Sequence, residues 1–163
     1  MSDAARTVRV VLRRANDAVH FVAETGAGGR VPIDGAPALG GQGLGARPME
    51  LLLAGLGGCT AIDVVGILGK QRQTVEDVTV AVEGERAPGE PSVFARIHVH
   101  FTVRGPADSQ AVTRAVALSM DKYCSVARVL EQTAAITYSH ELEPAAPPAA
   151  APAAAPAAGS AGA

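Results

Sequence analysis

The sequence predicts an α+β fold in which antiparallel sheets pack against long buried helices. Several segments alternate apolar and polar residues, which is typical of strands with one face on the core and the other in water. One long apolar segment follows the first three of these strands, and two shorter helical patterns precede the last one. The predicted order, β-β-β-α-β-β-α-α-β, lacks the regular strand–helix alternation of a doubly wound parallel sheet.

The central element is the apolar segment 48–70, which we interpret as one helix. It begins at Pro48, where the missing N–H of proline costs nothing, and it ends with a glycine and a lysine, both favoured at helix ends. Apolar residues occur on all sides of the segment, so we expect it to be buried on most sides. Because Gly55, Gly57 and Gly58 disfavour a helix intrinsically, we expect another backbone to approach it closely there.

The same segment is long enough to cross a membrane. Asp63 lies well inside it, however, where a carboxylate is costly in lipid, and the half-buried strands need an apolar layer to pack on. We therefore expect a core helix and no membrane association. Residues 1–14 carry charges throughout and lack the apolar stretch of a secretion signal, so we expect a cytoplasmic protein.

The remaining elements are predicted from shorter patterns. The glycine-rich residues 36–46 predict a mobile loop. In the two helices that follow the central one, we expect Tyr123 and Val129 to face the core. The predicted bounds are 7–14, 19–24, 30–34, 78–83, 93–104 and 134–142 for the strands, and 106–122 and 124–132 for the helices.

Two motifs suggest ligands, but each lacks part of the required pattern. The glycines of residues 41–45 precede a helix without the spacing or the leading strand of a dinucleotide site, so we interpret them as a flexible connection. His98 and His100 could share a metal ion, but no cysteine or aspartate cluster lies near them in sequence. We interpret them as part of a solvated polar face and expect no metal and no cofactor.

Composition divides the chain into a domain and a tail. Residues 143–163 are nearly all Ala, Pro, Gly and Ser, so we expect a disordered tail after a single domain at 1–142. The net charge is −2 and the Lys and Arg residues are scattered, so we expect no nucleic-acid partner.

The two cysteines differ in their expected reactivity. Cys124 lies near the start of a predicted helix, where N–H groups and the helix dipole stabilise a thiolate. Cys59 lies about three turns into the central helix, beyond the reach of that effect, and burial alone would raise its pKa. From the residues alone, the two thiols are either a reactive pair or inert core residues.

Three segments give the chain a resemblance to a known family. They are PMELL at 48–52, GGCTAIDVV at 57–65 and KYCSVA at 122–127. Together they resemble the osmotically inducible protein C and organic hydroperoxide resistance (OsmC/Ohr) family, and most of all its YhfA-like branch. The match covers about residues 8–142.

The resemblance implies an OsmC-like fold and an intertwined homodimer with an active site at each subunit interface. It further implies that Cys59 attacks organic hydroperoxides and that Cys124 resolves the product, as part of an oxidative-stress defence. A thiol or dithiol reductant would then restore the pair. In this reading the two sulfur atoms lie close enough to form a disulfide.

The chain departs from the family pattern at the residues that activate the thiol. Family members with hydroperoxide chemistry place a Glu directly after the proline, where this chain has Met49, and the next residue, Glu50, would point away from Cys59. The family's activating arginine is also missing from residues 37–41.

Other residues are therefore expected to support the thiols. Arg30, Arg47 and Arg128 are the available cations, and Arg128 has the best spacing because it follows Cys124 by four residues. Asp63 has the same spacing from Cys59. The departures leave an alternative to the enzyme, namely a non-enzymatic protein of the same fold that binds a small apolar ligand at the dimer groove.

Overall fold

The computed structural model describes residues 7–145. The strands are β1 (Val10–Arg14), β2 (Phe21–Thr25), β3 (Arg30–Ile33), β4 (Asp77–Arg86), β5 (Phe94–Arg104) and β6 (Ala135–Glu143), and the helices are α1 (Pro48–Lys70), α2 (Ser109–Leu118) and α3 (Ser125–Leu130). The order of elements is the predicted one. The predicted tail begins inside β6, at Glu143, and its residues from 146 onward lie outside the described part of the chain.

The strands form two three-stranded sheets, β1-β2-β3 and β4-β5-β6. All neighbours are antiparallel except β5 and β6, which run parallel with Val99 opposite Tyr138. The expectation of antiparallel pairing was wrong for this pair. The connection from β5 to β6 contains α2 and α3, which return the chain to the starting end of β5, and such a crossover produces parallel neighbours.

The core lies between the second sheet and the helices. Alternate residues of β5 are fully or almost fully buried, as the alternation predicted, and they pack with one face of α1 and with α2. At the start of the strand the alternation changes, because Phe94 is 5% exposed and Val93 is 40% exposed. The register of β4 and β5 shifts between Glu85 and Arg86, and this irregularity lets Phe94 reach the core.

Within residues 7–145, helix α1 is buried on one face only, so the expectation of burial on most sides was wrong. Leu56, Val64 and Leu68 are fully buried, whereas Ile62 is 75% exposed on the opposite face. An 18-residue stretch of α1 has a mean hydropathy of 2.0, so by length and composition the helix could cross a membrane. Of the residues in that stretch, 22% are buried. It nevertheless packs against β4, α2 and α3 as the central helix of the domain.

The glycines of α1 have different surroundings. A Cβ atom on Gly57 would lie 3.1 Å from a methyl group of Val82 on β4, so this glycine allows the helix to approach side chains of the sheet, not another backbone. The same atom on Gly55 or Gly58 would meet nothing within 4 Å in the described chain. Within the described residues, the predicted approach of another backbone is therefore found at none of the three glycines, and that expectation was wrong.

The predicted mobile loop at 36–46 is held by one buried carboxylate. Asp34, only 2% exposed, accepts hydrogen bonds from the backbone N–H groups of Gly35, Gln42 and Leu44 at 2.8, 2.8 and 3.0 Å. These N–H donors, those of Leu44 and Gln42 above all, lower the pKa of Asp34 below its ordinary value. The loop also contains a short 3₁₀ helix at Pro37–Leu39.

The helix predicted for 106–122 ends earlier. Helix α2 stops at Leu118, and Ser119–Tyr123 form a wide π turn in which the N–H of Cys124 donates to the carbonyl of Ser119 at 2.9 Å. Tyr123 and Val129 are 51% and 69% exposed, so both were wrongly expected to face the core. The wide turn interrupts the helical spacing on which the expectation for Tyr123 depended. In α3 the buried residues are Ala127 and Leu130, which leaves Val129 on the exposed side.

Candidate thiol site

The fold brings the two cysteines together with one carboxylate. Cys59 lies in the middle of α1, and Cys124 is the residue that caps the start of α3. Their Sγ atoms and a carboxylate oxygen of Asp63 all lie within 4.8 Å of one another. Neither cysteine is in a disulfide, and the two sulfurs are close enough that a change of side-chain rotamer could bring them to bonding distance.

The local sequence explains this convergence. Asp63 follows Cys59 by four residues, so both side chains project from the same face of α1. Cys124 approaches that face because the π turn at Ser119–Tyr123 ends α2 and starts α3 beside α1.

Hydrogen bonds hold two of the three groups. The hydroxyl of Ser119, a fully buried residue, donates to Oδ2 of Asp63 at 3.0 Å. The backbone N–H of Ala127, in the first turn of α3, donates to Sγ of Cys124 at 3.4 Å. The first contact orients the carboxylate, and the second is the expected helix-start interaction with the thiol.

The two thiols differ in burial. Cys124 is completely buried, whereas Cys59 is half-buried and retains some exposure. The pKa of Cys124 is raised to about 11, because burial raises it, the N–H of Ala127 opposes the shift and the nearby Cys59 side chain adds to it. The expectation that the helix start would favour a Cys124 thiolate was therefore wrong in its net effect, because loss of hydration outweighs the donated hydrogen bond.

Two of the predicted supporting arginines, Arg128 and Arg47, are placed away from the thiols. Arg128 donates to the carbonyl oxygen of Met120 at 2.7 Å and forms an ion pair with Glu131 at 3.0 Å, so its side chain is engaged away from the thiols. Arg47 precedes α1, twelve residues before Cys59 and about 18 Å along the helix.

Glu50 has a structural role at the start of α1. Its carboxylate accepts the backbone N–H of Arg47 at 2.9 Å, which caps the helix. Glu50 lies nine residues before Cys59, about 14 Å along the axis, in agreement with the expectation that it points away from the thiol. Of the predicted supporting residues, Asp63 is the one that lies beside both sulfurs.

Ser119 is the residue of the site that sequence reasoning missed. The signal was available, because a serine among Val112, Ala115 and Val116 introduces a polar group into a buried face, and such a group needs a partner.

The two histidines lie on a separate, more open surface. On the outer face of β5 and β6, His98 hydrogen-bonds to the hydroxyls of Thr137 and Ser139 at 2.8 and 2.9 Å. His100 bonds to Ser139 at 2.8 Å and to Glu141 at 3.4 Å. Within residues 7–145, neither histidine belongs to a group of three converging metal ligands. We call this row of five side chains the sheet ladder.

A groove of about 580 Å³ lies beside the thiol site on the exposed side of α1. Asp63 forms part of its wall, and most of the other lining residues are apolar or small: Ile62, Gly66, Ile67, Leu118 and Tyr123, together with Lys70 and Gln71. A ligand in this groove would contact the carboxylate that adjoins the two sulfurs.

Known proteins share both the sequence and the fold. The family described as OsmC-like protein matches residues 41–139, which include both cysteines. Protein YhfA of Escherichia coli (strain K12) is 43% identical over 128 residues, which cover 75% of this chain and 89% of that protein.

Solved structures agree with this match. A hypothetical protein from Aquifex aeolicus VF5 superposes with a TM-score of 0.75 and 30% identity, covering 86% of this chain and 98% of that one. An organic hydroperoxide resistance protein OsmC from Legionella pneumophila has a TM-score of 0.61 and 18% identity, covering 88% and 100% of the two chains. At that identity, the second likeness shows the fold alone.

Proposed function

The chain belongs to the OsmC-like family, and we propose that it is a thiol-dependent peroxidase that reduces organic hydroperoxides. The observation that carries the proposal is the convergence of Cys59 and Cys124, whose sulfurs lie within 4.8 Å although the residues are far apart in sequence. A pair so placed can store two electrons and form a disulfide.

Exposure favours different roles for the two thiols. Cys59 is half-buried and can meet a substrate, so it is the thiol that attacks the O–O bond, whereas Cys124 is fully buried and accessible only to a group already in the site. Attack by the Cys59 thiolate on the hydroperoxide releases an alcohol and leaves a sulfenic acid. The Cys124 thiol condenses with this acid, releasing water and forming the disulfide, which an external thiol or dithiol then reduces by exchange.

The surroundings of the site favour an organic substrate. The groove beside Asp63 is lined largely by apolar side chains, which suit the hydrocarbon part of an organic hydroperoxide better than the small, polar hydrogen peroxide. Asp63, oriented by Ser119, is the polar group in position to hydrogen-bond the substrate or a thiol. Without the family's Glu and Arg, we expect turnover to be slower than in family members that carry both.

The assembly that we propose is a homodimer in the cytoplasm. On α1, Ile62 and Val65 are 75% and 52% exposed, and on the first strand, Val10 and Leu12 are 48% and 53% exposed. Apolar surfaces of this kind on two elements are typical of an interface. A second copy packed on α1 would also cover the groove and exclude water from the thiols.

Thiol mapping tests the proposal directly. Reduced protein is treated with one equivalent of cumene hydroperoxide, and its thiols are mapped by mass spectrometry in wild type, Cys59→Ser and Cys124→Ser. We expect a Cys59–Cys124 disulfide in wild type. In Cys124→Ser we expect a Cys59 sulfenic acid, which further equivalents of peroxide over-oxidise. If both thiols of wild type stay reduced at stoichiometric peroxide, the peroxidase proposal fails.

A second candidate function is favoured by the same groove. A non-enzymatic protein could use it to bind a small apolar ligand, with Asp63 as part of its wall. Two results together would favour this function over the first. The protein would consume no peroxide, and a Cys59→Ser/Cys124→Ser variant would bind a fatty acid or aryl ligand as tightly as wild type.

A further inference from the structure

The thiol site has the donor atoms of a metal centre. It combines two thiol sulfurs and one carboxylate oxygen, from two different helices, at mutual distances within 4.8 Å. Cysteine and carboxylate are both ordinary Zn²⁺ ligands, and soft sulfur donors select zinc over magnesium or calcium.

The distances suit a tetrahedral ion. Zn–S bonds of about 2.3 Å and Zn–O bonds of about 2.0–2.2 Å place tetrahedral ligand atoms roughly 3.5–3.8 Å apart. The present separations, within 4.8 Å, exceed these values by at most about 1.3 Å, which side-chain rotation can supply.

Hydrogen-bond donors around the cluster hold its ligand atoms in place, as they do at metal sites. Ser119 donates to the Asp63 oxygen and the N–H of Ala127 donates to the Cys124 sulfur, so two of the three ligands are already oriented. Within residues 7–145, Asp63 forms no ion pair with a Lys or Arg side chain, and Arg128 is bound to Glu131. A cation would therefore find three converging ligands that no other positive group of the described chain neutralises.

We propose that the reduced protein binds one Zn²⁺ ion through Sγ of Cys59, Sγ of Cys124 and the carboxylate of Asp63. The fourth position is open and faces the groove, because Cys59 and Asp63 are the half-buried members of the set. Binding releases the two thiol protons and involves no electron transfer. It excludes the Cys59–Cys124 disulfide, since the same two sulfurs cannot serve both, so zinc would keep the pair reduced.

Cobalt substitution tests the site without peroxide. Reduced, metal-free full-length protein is titrated with Co²⁺ and then with Zn²⁺. We expect one equivalent of Co²⁺ to give sulfur-to-cobalt charge-transfer bands and the strong visible bands of tetrahedral cobalt, and one equivalent of Zn²⁺ to remove them.

Variants assign the ligands. Cys59→Ser and Asp63→Asn should weaken Zn²⁺ binding at least about 100-fold in competition with a chelating dye, and Ser119→Ala by about 10-fold, as for outer-shell partners of other zinc sites. The control is His98→Ala/His100→Ala, which removes the histidines of the sheet ladder and should bind as wild type. Because a change at the fully buried Cys124 could unfold the chain, wild type oxidised to the disulfide with diamide provides a second test and should bind no Co²⁺.

Three results would overturn the proposal: no charge-transfer band in wild type, unchanged affinity in Cys59→Ser, or loss of binding in the histidine variant. Metal binding is measured in the absence of peroxide, so these outcomes are independent of whether the protein proves to be a peroxidase.

Discussion

The thiol site and the sheet ladder both collect reactive side chains, but they do so in opposite geometries. In the ladder, His98 and His100 alternate with hydroxyls of β6, and successive rungs lie about 7 Å apart along the strands. In the thiol site, two helices meet and their side chains converge on one point. Alternate residues of two paired strands thus give an extended row, whereas Cys59 and Cys124, 65 positions apart on two helices, give a compact cluster with one fully buried member.

The largest expected difference between the two regions is in activity. Cys59→Ser should reduce cumene hydroperoxide consumption to the uncatalysed rate, because the attacking sulfur is gone. His98→Ala, at a histidine of comparable exposure on the sheet, should retain the wild-type rate. The measurement is peroxide loss with a dithiol reductant, and equal rates in the two variants would show that the chemistry is not at the thiols.

The next largest expected effect is that the two sides of α1 should differ in how well they tolerate a larger side chain. Gly57→Leu places side-chain atoms against Val82 and should destabilise the fold by about 1–3 kcal/mol, as overpacking does. Gly58→Leu enters open space in the chain and should leave the monomer intact, but it should weaken the proposed dimer. Urea unfolding measures the first effect and sedimentation velocity the second. A Gly58→Leu protein with unchanged sedimentation would place the dimer contact elsewhere.

The same substitution, serine to alanine, should lower the free energy of unfolding by different amounts in the two regions. Ser119→Ala leaves the Asp63 oxygen without its buried donor and should cost about 1–3 kcal/mol. Ser139→Ala removes a hydroxyl that two histidines contact, but water can replace it on this half-exposed face, so the cost should stay near 0.5 kcal/mol. Similar unfolding free energies for both variants would contradict the distinction between a closed site and an open ladder.

The smallest expected effect concerns the pKa of Glu141, the carboxylate of the sheet ladder. Hydrogen bonds from Thr102 and then from His100 lower the pKa of Glu141 below its ordinary value of 4.5. A lowered folded-state pKa means that Glu141 contributes stability above pH 4.5 and loses it as pH falls through the folded pKa. Carboxyl-carbon NMR titration should show the low pKa in wild type and a higher one in Thr102→Val. An unshifted value in that variant would mean that the Thr102 hydroxyl does not lower the pKa of Glu141.

The sequence predicted those features that depend on local chemistry. The bounds of α1 follow from Pro48 and from the glycine and lysine at its end, and the core face of β5 follows from its alternation. Residue types also identified Cys59 and Cys124, but their pairing came from a family resemblance, because no local pattern relates positions so far apart.

The features that the sequence did not predict depend on tertiary contacts. The order of the loop at 36–46 comes from Asp34, which reaches N–H groups eight and ten residues away. The raised pKa of Cys124 comes from burial that only the assembled helices create. The exposure of α1 likewise reflects what the rest of the chain leaves uncovered, which the composition of the helix cannot specify.

The parallel pairing of β6 with β5 has a consequence for how the chain is made. Strand β6 can join β5 only after α2 and α3 have been synthesised, and the partners His98 and Thr137 are 39 residues apart. Closing contacts of this length is slow compared with forming a helix. On the ribosome, α1 therefore emerges with Cys59 as a solitary thiol on an apolar helix, long before Cys124 and its supporting turn exist. The nascent chain is most vulnerable to oxidation and misassociation in that interval, which ends when β6 pairs with β5.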